Sequence, residues 1–184
     1  HDSPERFCKL GAAVRFGSPR FVDDHTVDLD GARLTARAWI VATGSSPSLP
    51  PVEGLAGVPY WTNETVFSQT ELPGHLLILG GGPIGVEMAQ AFRRLGSGVT
   101  IIEYGDQVLG PEDPDIASIL RIRLEAEGVK VLTGTKALKA TVVNGSVLLQ
   151  VGPAKGEGEP WTVEGNVLLV AAGRKPNVEG LELS

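Results

Sequence analysis

One stretch constrains the fold more than any other. Leu76-Leu77-Ile78-Leu79 is a continuous apolar run, and it leads without a break into Gly80-Gly81-Gly82-Pro83-Ile84-Gly85. Such a run predicts a strand buried on both faces of a parallel sheet. Ile84, Met88, Ala91, Phe92 and Leu95 then recur at helical spacing up to Gly96 and define the expected buried stripe of a helix. Val99-Thr100-Ile101-Ile102 is a second buried strand, closed by Glu103. Asp113-Pro114 supplies an N-cap and a proline at the first helical position. Ile116, Ile119, Leu120 and Leu124 stripe the helix that follows, up to Gly128, and Val129 to Thr133 makes a third strand. The series β-α-β-α-β predicts an α/β fold built on a Rossmann-type parallel sheet.

The glycines at 80, 82 and 85 form G-x-G-x-x-G, a weak pattern by itself because the chain has 24 glycines. A strand immediately before it, a helix immediately after and an acid at the next strand end give it meaning. Gly80 allows the tight turn, Gly82 lets a pyrophosphate approach the backbone, and Gly85 lets helix and strand pack closely. The helix start directs unpaired N–H groups and the positive end of its dipole at that pyrophosphate. A glycine-rich turn with no ligand is the plainer alternative, and the surrounding context weighs against it. Glu103, eighteen residues beyond Gly85, stands where a carboxylate accepts hydrogen bonds from both adenosine-ribose hydroxyls. Unit charges ~4 Å apart interact by about 4 kcal/mol at an effective dielectric near 20, so this carboxylate disfavours a 2′-phosphate. Tyr104-Gly105-Asp106 bring no cation to offset it, and NAD(H) is expected over NADP(H).

The flanking segments read differently. Val14 with Phe16, Phe21-Val22, Thr26 to Leu29 and Arg33 to Val41 are short β-like runs, and Asp30-Gly31 is a hairpin signal. The last run enters Ala42-Thr43-Gly44. Ser45 to Pro59, with Pro47, Pro50, Pro51 and Pro59, reads as an ordered linker. Tyr60 to Gln69 is expected to hold a short helix capped by Thr62 or Asn63. Ala137 to Val143, an Asn144-Gly145 turn, Ser146 to Val151 and Trp161 to Val163 predict an antiparallel β-meander. Asn166 to Val170 is a final buried strand, entering Ala171-Ala172-Gly173.

Composition removes several classes. Lys plus Arg 16 against Asp plus Glu 22 gives −6, which argues against a nucleic-acid partner. No apolar run is long enough to span a membrane, and no secretory signal opens the chain. The single Cys8 forms no internal disulfide, in keeping with a cytoplasmic protein. His1, His25 and His75 lack metal-ligand spacing, so no metal is expected. Arg93-Arg94 and Arg121/Arg123 read as solvated helix faces. Met88 is the only methionine and the chain opens on His1, so a piece of a longer protein is expected.

Ala42-Thr43-Gly44-Ser45-Ser46-Pro47, Gly80 through Glu87, Glu103 and Gly173-Arg174-Lys175-Pro176-Asn177 together resemble the pyridine nucleotide-disulfide oxidoreductases, flavoproteins with two dinucleotide sites. The stretches Tyr60-Trp61-Thr62 and Ala89 to Ser97 are most similar to the mercuric reductase branch, with dihydrolipoamide dehydrogenases nearly as similar. The resemblance implies that residues 1–45 are part of an FAD-domain β-segment, 46–72 a linker, 73–172 an NAD(H)-binding domain, and 173–184 the return to the FAD domain. It implies NAD contacts at Gly80, Gly81, Gly82, Pro83, Ile84, Gly85, Val86, Glu87, Glu103, Ala137 and Gly173, and FAD-domain contacts at Thr43 and Gly44. Glu87 resembles an acid near the nicotinamide and flavin rings. Pro83 stands where many relatives carry an aromatic that covers the flavin. The redox cysteine pair, the FAD glycine motif and the dimerisation domain are not in this sequence, so no catalytic residue is expected in it. NADH positioned here would pass a hydride to FAD in a homodimeric parent, with the isolated piece inactive. Two alternatives stand beside this one: a related flavoprotein without the disulfide, of NADH oxidase or ferredoxin reductase type, and a non-enzymatic NAD-binding module.

Overall fold

A computed structural model describes residues 3–183. His1, read above as lacking metal-ligand spacing, lies outside the described residues. The described residues form two compact units, 3–45 with 176–183 and 46–175.

The first unit contains the short helix α1 (Pro4–Lys9) and strands β1 (Pro19–Asp23), β2 (Thr26–Leu29) and β3 (Ala32–Thr35), paired antiparallel in that order. The Asp30-Gly31 hairpin forms as expected, with both residues at positive φ, 52° and 91°. One expected strand does not form and another ends early. Val14 and Phe16 lie in irregular chain, and the run begun at Arg33 ends at Thr35 instead of continuing through Val41. An apolar run becomes a strand only when a neighbour accepts its hydrogen bonds, and among the described residues no strand lies beside 37–42. Ile40 is accordingly 93% exposed.

Next along the chain are β4 (Ser45–Pro47), which starts on the last residue before the second unit, and β5 (Tyr60–Trp61) within that unit. The second unit continues through β6 (His75–Leu79), α2 (Pro83–Leu95), β7 (Gly98–Ile102), α3 (Pro114–Ala126) and β8 (Val129–Leu132). The meander is β9 (Thr135–Val143), β10 (Ser146–Pro153) and β11 (Trp161–Gly165), followed by β12 (Val167–Val170) and β13 (Arg174–Pro176). Five strands make a parallel sheet in the order β5-β12-β6-β7-β8, while β9, β10 and β11 form a separate antiparallel sheet. The expected α/β architecture is the one observed. Side chains on β6 alternate between two cores: Leu77 and Leu79 pack with Val147, Leu149 and Val163 of the meander, while Leu76 and Ile78 pack with Val86 and Ala89 of α2. Both faces of the sheet are covered, which is why the strand reads as unbroken apolar sequence instead of alternating. Asn144 and Gly145 take φ of 50° and 83°, the hairpin the dipeptide predicts.

The helix stripes need correction. On α2 the buried residues are Gly85, Val86 and Ala89, whereas Ala91 and Leu95 face solvent. On α3 Ala117 and Leu124 are buried and Ile116 and Ile119 are exposed. Leu124 is buried and Met88, Phe92 and Leu120 pack against the core as expected, but close approach to the sheet selects Gly85, Ala89 and Ala117 at the contact, and Ala91, Leu95, Ile116 and Ile119 do not mark the buried face. Tyr60 to Gln69 holds no α-helix. Tyr60-Trp61 is the sheet-edge strand, Thr62 Oγ1 accepts from the Glu64 amide, and only one 3-10 turn forms at Val66–Ser68. The proline-rich segment is firmly held: Val52, Leu55 and Val58 enter the core, and Glu53 exchanges backbone hydrogen bonds with Leu138 and Ala140 of β9.

Of the arginines read as solvated faces, Arg93 and Arg94 tie α2 to the end of α3. Arg94 binds the Glu127 carboxylate through Nε and a terminal nitrogen at 2.8 Å each, and Arg123 Nε adds a bond of 2.6 Å. Arg93 Nε donates to the Glu127 carbonyl. Hydrogen bonding from Arg94 is the largest influence lowering the Glu127 pKa from 4.5 to about 2. A folded-state pKa below the unfolded one stabilises fully above about 4.5, and that contribution fades as pH falls towards about 2. Melting curves of wild type and Glu127→Gln are therefore expected to differ at neutral pH and to converge under acid. A constant gap across that window would contradict the tie.

Candidate functional site

Strand order places a crevice at one end of the parallel sheet. The chain runs from β6 through α2 to β7 on one side, while β12 enters on the other side of β6. The carboxyl ends of β6 and β12 are thus the point at which the winding direction reverses, where open α/β sheets bind ligands. Gly80 follows β6, Glu103 follows β7, and Ala171-Ala172-Gly173 follow β12.

Two of the three motif glycines are required by the fold itself. Gly80 has φ of 112°, and a Cβ there would strike the Ala171 carbonyl. A Cβ on Gly85 would strike the Gly80 carbonyl. Gly82 differs. Its φ and ψ are −73° and −176°, open to any residue, and a Cβ there would meet nothing within 4 Å. The space in front of its backbone is open although the protein's own geometry does not demand glycine. Gly82 caps α2 without any side-chain hydrogen bond, and Pro83 has no N–H. The amides of Ile84 and Gly85 have no acceptor within the helix and are left for an outside group.

Glu103 is held by the same turn. Its Oε2 accepts the Gly81 N–H and its Oε1 the Gly105 N–H at 2.6 Å. Each carboxylate oxygen has two lone pairs, so each retains one for a further donor. Cavities lie to either side. One of about 630 Å³ is bordered by Gly82, Pro83, Ile84, Gly173 and Arg174. The other, about 590 Å³, is bordered by Pro50, Val52, Tyr104, Lys136 and Ala137. Gly80, Glu103 and Ala172 belong to both walls.

Gly80, Gly82, Pro83, Ile84, Glu103, Ala137 and Gly173, all singled out in the sequence, therefore border one divided crevice. Gly81 and Gly85 lie beneath it as backbone. Val86 is buried in the core under α2, and Glu87 is exposed on that helix; neither borders a cavity. Thr43 and Gly44 belong to the other unit, where the Thr43 hydroxyl donates to the Asn177 carbonyl at 2.6 Å and the Asn177 amide donates to the Gly44 carbonyl. Sequence reasoning missed Pro50 to Val52, whose position depends on pairing with a strand far along the chain. It also missed Lys136, Arg174, and Asn63, which accepts from Arg174 at 2.7 Å. Among the described residues no three His, Cys, Asp or Glu side chains form a metal-holding group, and Cys8 is exposed.

The family model described as pyridine nucleotide-disulphide oxidoreductase matches residues 6–184. The chain belongs to this family. Among curated members of the pyridine nucleotide-disulphide oxidoreductases, a mercuric reductase of Lysinibacillus sphaericus is 35% identical over 168 residues, covering 91% of this chain and 30% of the relative. A dihydrolipoamide dehydrogenase of Chaetomium thermophilum is 39% identical over 189 residues, covering 96% of this chain and 36% of the relative. The solved structure of LpdA from Mycobacterium tuberculosis superposes with a TM-score of 0.77 at 28% identity, covering 97% of this chain and 40% of that one. The HOCl-induced flavoprotein disulfide reductase RclA from Escherichia coli gives 0.73 at 30% identity, covering 90% and 37%. The chain thus spans roughly a third of the length of the curated relatives it matches.

Proposed function

We propose that the divided crevice binds NAD(H), as the nicotinamide-dinucleotide site of a flavoprotein oxidoreductase. The observation that carries this reading is the open approach at Gly82, a glycine that the fold has no reason of its own to require. A pyrophosphate laid there meets the free amides of Ile84 and Gly85 and the positive end of α2. The adenosine ribose then lies over Glu103, with adenine in the cavity bordered by Tyr104 and Ala137. The nicotinamide half extends past Ile84 towards Gly173. When bound, the nicotinamide supplies the hydride; this chain's own residues hold the diphosphate, orient the ribose and fix the ring's direction.

NADH is the preferred form. Glu103 is anchored by two backbone amides and cannot swing away without leaving them unpaired, so a 2′-phosphate would face a fixed negative charge. FAD belongs to this proposal only at the level of the whole protein: among its described residues the first unit shows no glycine turn before a helix that would hold a second dinucleotide. Its exposed Phe16 and Ile40, 81% and 93% accessible, suit packing against further chain of a longer, homodimeric enzyme.

Calorimetric titration with NADH and NADPH tests the reading. Wild type is expected to bind NADH more tightly. Glu103→Gln is expected to weaken NADH by about one to two decades, one charged hydrogen-bond partner being worth ~1.5–3 kcal/mol, and to narrow the gap to NADPH. Preference for NADPH in the wild type, or unchanged selectivity in the variant, would overturn it.

A further inference from the structure

A lysine stands close to the adenosine end of the crevice, held by an acid three residues beyond Glu103. Lys155 Nζ lies 2.9 Å from Asp106 Oδ2. Their proximity comes from a ladder of main-chain bonds. The Thr135 amide donates to the Glu103 carbonyl at 2.9 Å, the Gly134 amide to the Gly105 carbonyl at 2.7 Å, and the Ala154 amide to the Gly134 carbonyl at 2.7 Å. The turn bearing Glu103, the start of β9 and the loop after β10, which carries Lys155, are therefore joined by main-chain hydrogen bonds. Bonding to Asp106 raises the Lys155 pKa above its ordinary value, so the ammonium stays protonated. Tyr104, two residues before Asp106, stands in the wall of the adenosine cavity. Lys136 is the cation in that wall, and Lys155 lies outside it.

We infer that Asp106 is a specificity-determining residue, which occupies the Lys155 ammonium and keeps it from neutralising a phosphate on the adenosine ribose. The inference rests on the proposed dinucleotide reading and deepens it. Glu103 repels a 2′-phosphate directly, and Asp106 withholds a cation outside the cavity wall that would offset the repulsion. The sequence reading of Tyr104-Gly105-Asp106 as cation-free is thus half of the device: the cation is present, brought in from a distant loop, and engaged. Both partners are largely exposed, 72% and 77%, so the effect is moderate and sensitive to salt.

The test is titration of the 184-residue chain with NADH and NADPH, for wild type, Asp106→Asn, Asp106→Glu, and Asp106→Asn combined with Lys155→Ala. In Asp106→Asn the ratio of NADPH to NADH affinity is expected to rise about fivefold to tenfold at low salt, and to lose most of that gain near ~0.5 M salt. Asp106→Glu restores the wild-type ratio, and the double variant returns close to it because the freed ammonium is gone. A ratio unmoved by Asp106→Asn, with NADH still bound, overturns the inference and leaves the dinucleotide site standing. A gain that persists in the double variant also overturns it, since loss of the Asp106 charge alone would then account for the change. Failure of the wild type to bind NADH overturns both.

Discussion

Gly82→Val is expected to weaken NADH binding by about 100-fold or more while the chain stays folded. The valine enters a backbone conformation open to every residue, and its first side-chain carbon meets no protein atom within 4 Å. It does fill the approach to the Ile84 and Gly85 amides. Hydrogen bonds to a charged group contribute roughly 1.5–3 kcal/mol each. Pushing a diphosphate off two of them costs on the order of 3 kcal/mol or more, about two decades in affinity. Calorimetry gives the affinity, and a thermal melt within about 2 °C of wild type shows that folding is spared, since ~1 kcal/mol moves a domain of this size by ~2–4 °C. Binding of NADH by Gly82→Val at wild-type strength would remove the observation on which the proposed function rests.

Gly85→Ala is expected to produce the largest loss of stability, and its sign separates two effects. Helix propensity alone favours alanine over glycine by about 1 kcal/mol in a helix interior. Against this, the added Cβ lands on the Gly80 carbonyl, backbone against backbone, with Ile78 Cγ2 at 3.4 Å behind it. Neither neighbour is a flexible side-chain end, so α2 must lift from β6. Overpacking of this kind costs about 1–3 kcal/mol and more where the backbone has to shift. The clash outweighs propensity. A net loss of ~2 kcal/mol or more is expected in urea unfolding, with the midpoint lowered and the slope unchanged. A stabilised Gly85→Ala would mean that helix and strand are farther apart than described.

The contrast between Gly82 and Gly85 shows where sequence reading succeeds. β6, α2, β7, α3 and β8 were legible because each is specified locally: an apolar run, a glycine turn, a proline at a helix start, a glycine at its end. Two φ-positive hairpins were legible for the same reason, since Asp30-Gly31 and Asn144-Gly145 carry their own turn chemistry. Ile40 and Val41 failed as a strand because β structure is conferred by a neighbour, and none of the described residues provides one there. Ala91, Leu95, Ile116 and Ile119 failed as a buried stripe because packing distance favours Gly85, Ala89 and Ala117 at the sheet. In the site, the motif glycines and Glu103 were legible from spacing. The wall at Pro50 to Val52 and the Lys155 ammonium beside Asp106 depend on pairing between distant segments, which no local pattern encodes.

The most direct test is amide chemical-shift mapping of the chain, labelled with nitrogen-15, during titration with NADH. The largest shifts are expected at Gly82, Ile84 and Gly85, where the diphosphate replaces solvent. A second group is expected at Gly81 and Gly105, whose amides share the Glu103 carboxylate, and a third at Ala137. Saturating shifts at these amides would place the diphosphate on the glycine turn and the ribose on the carboxylate. Saturating shifts that leave Gly82, Ile84 and Gly85 unmoved, or no saturation at all, would contradict the site.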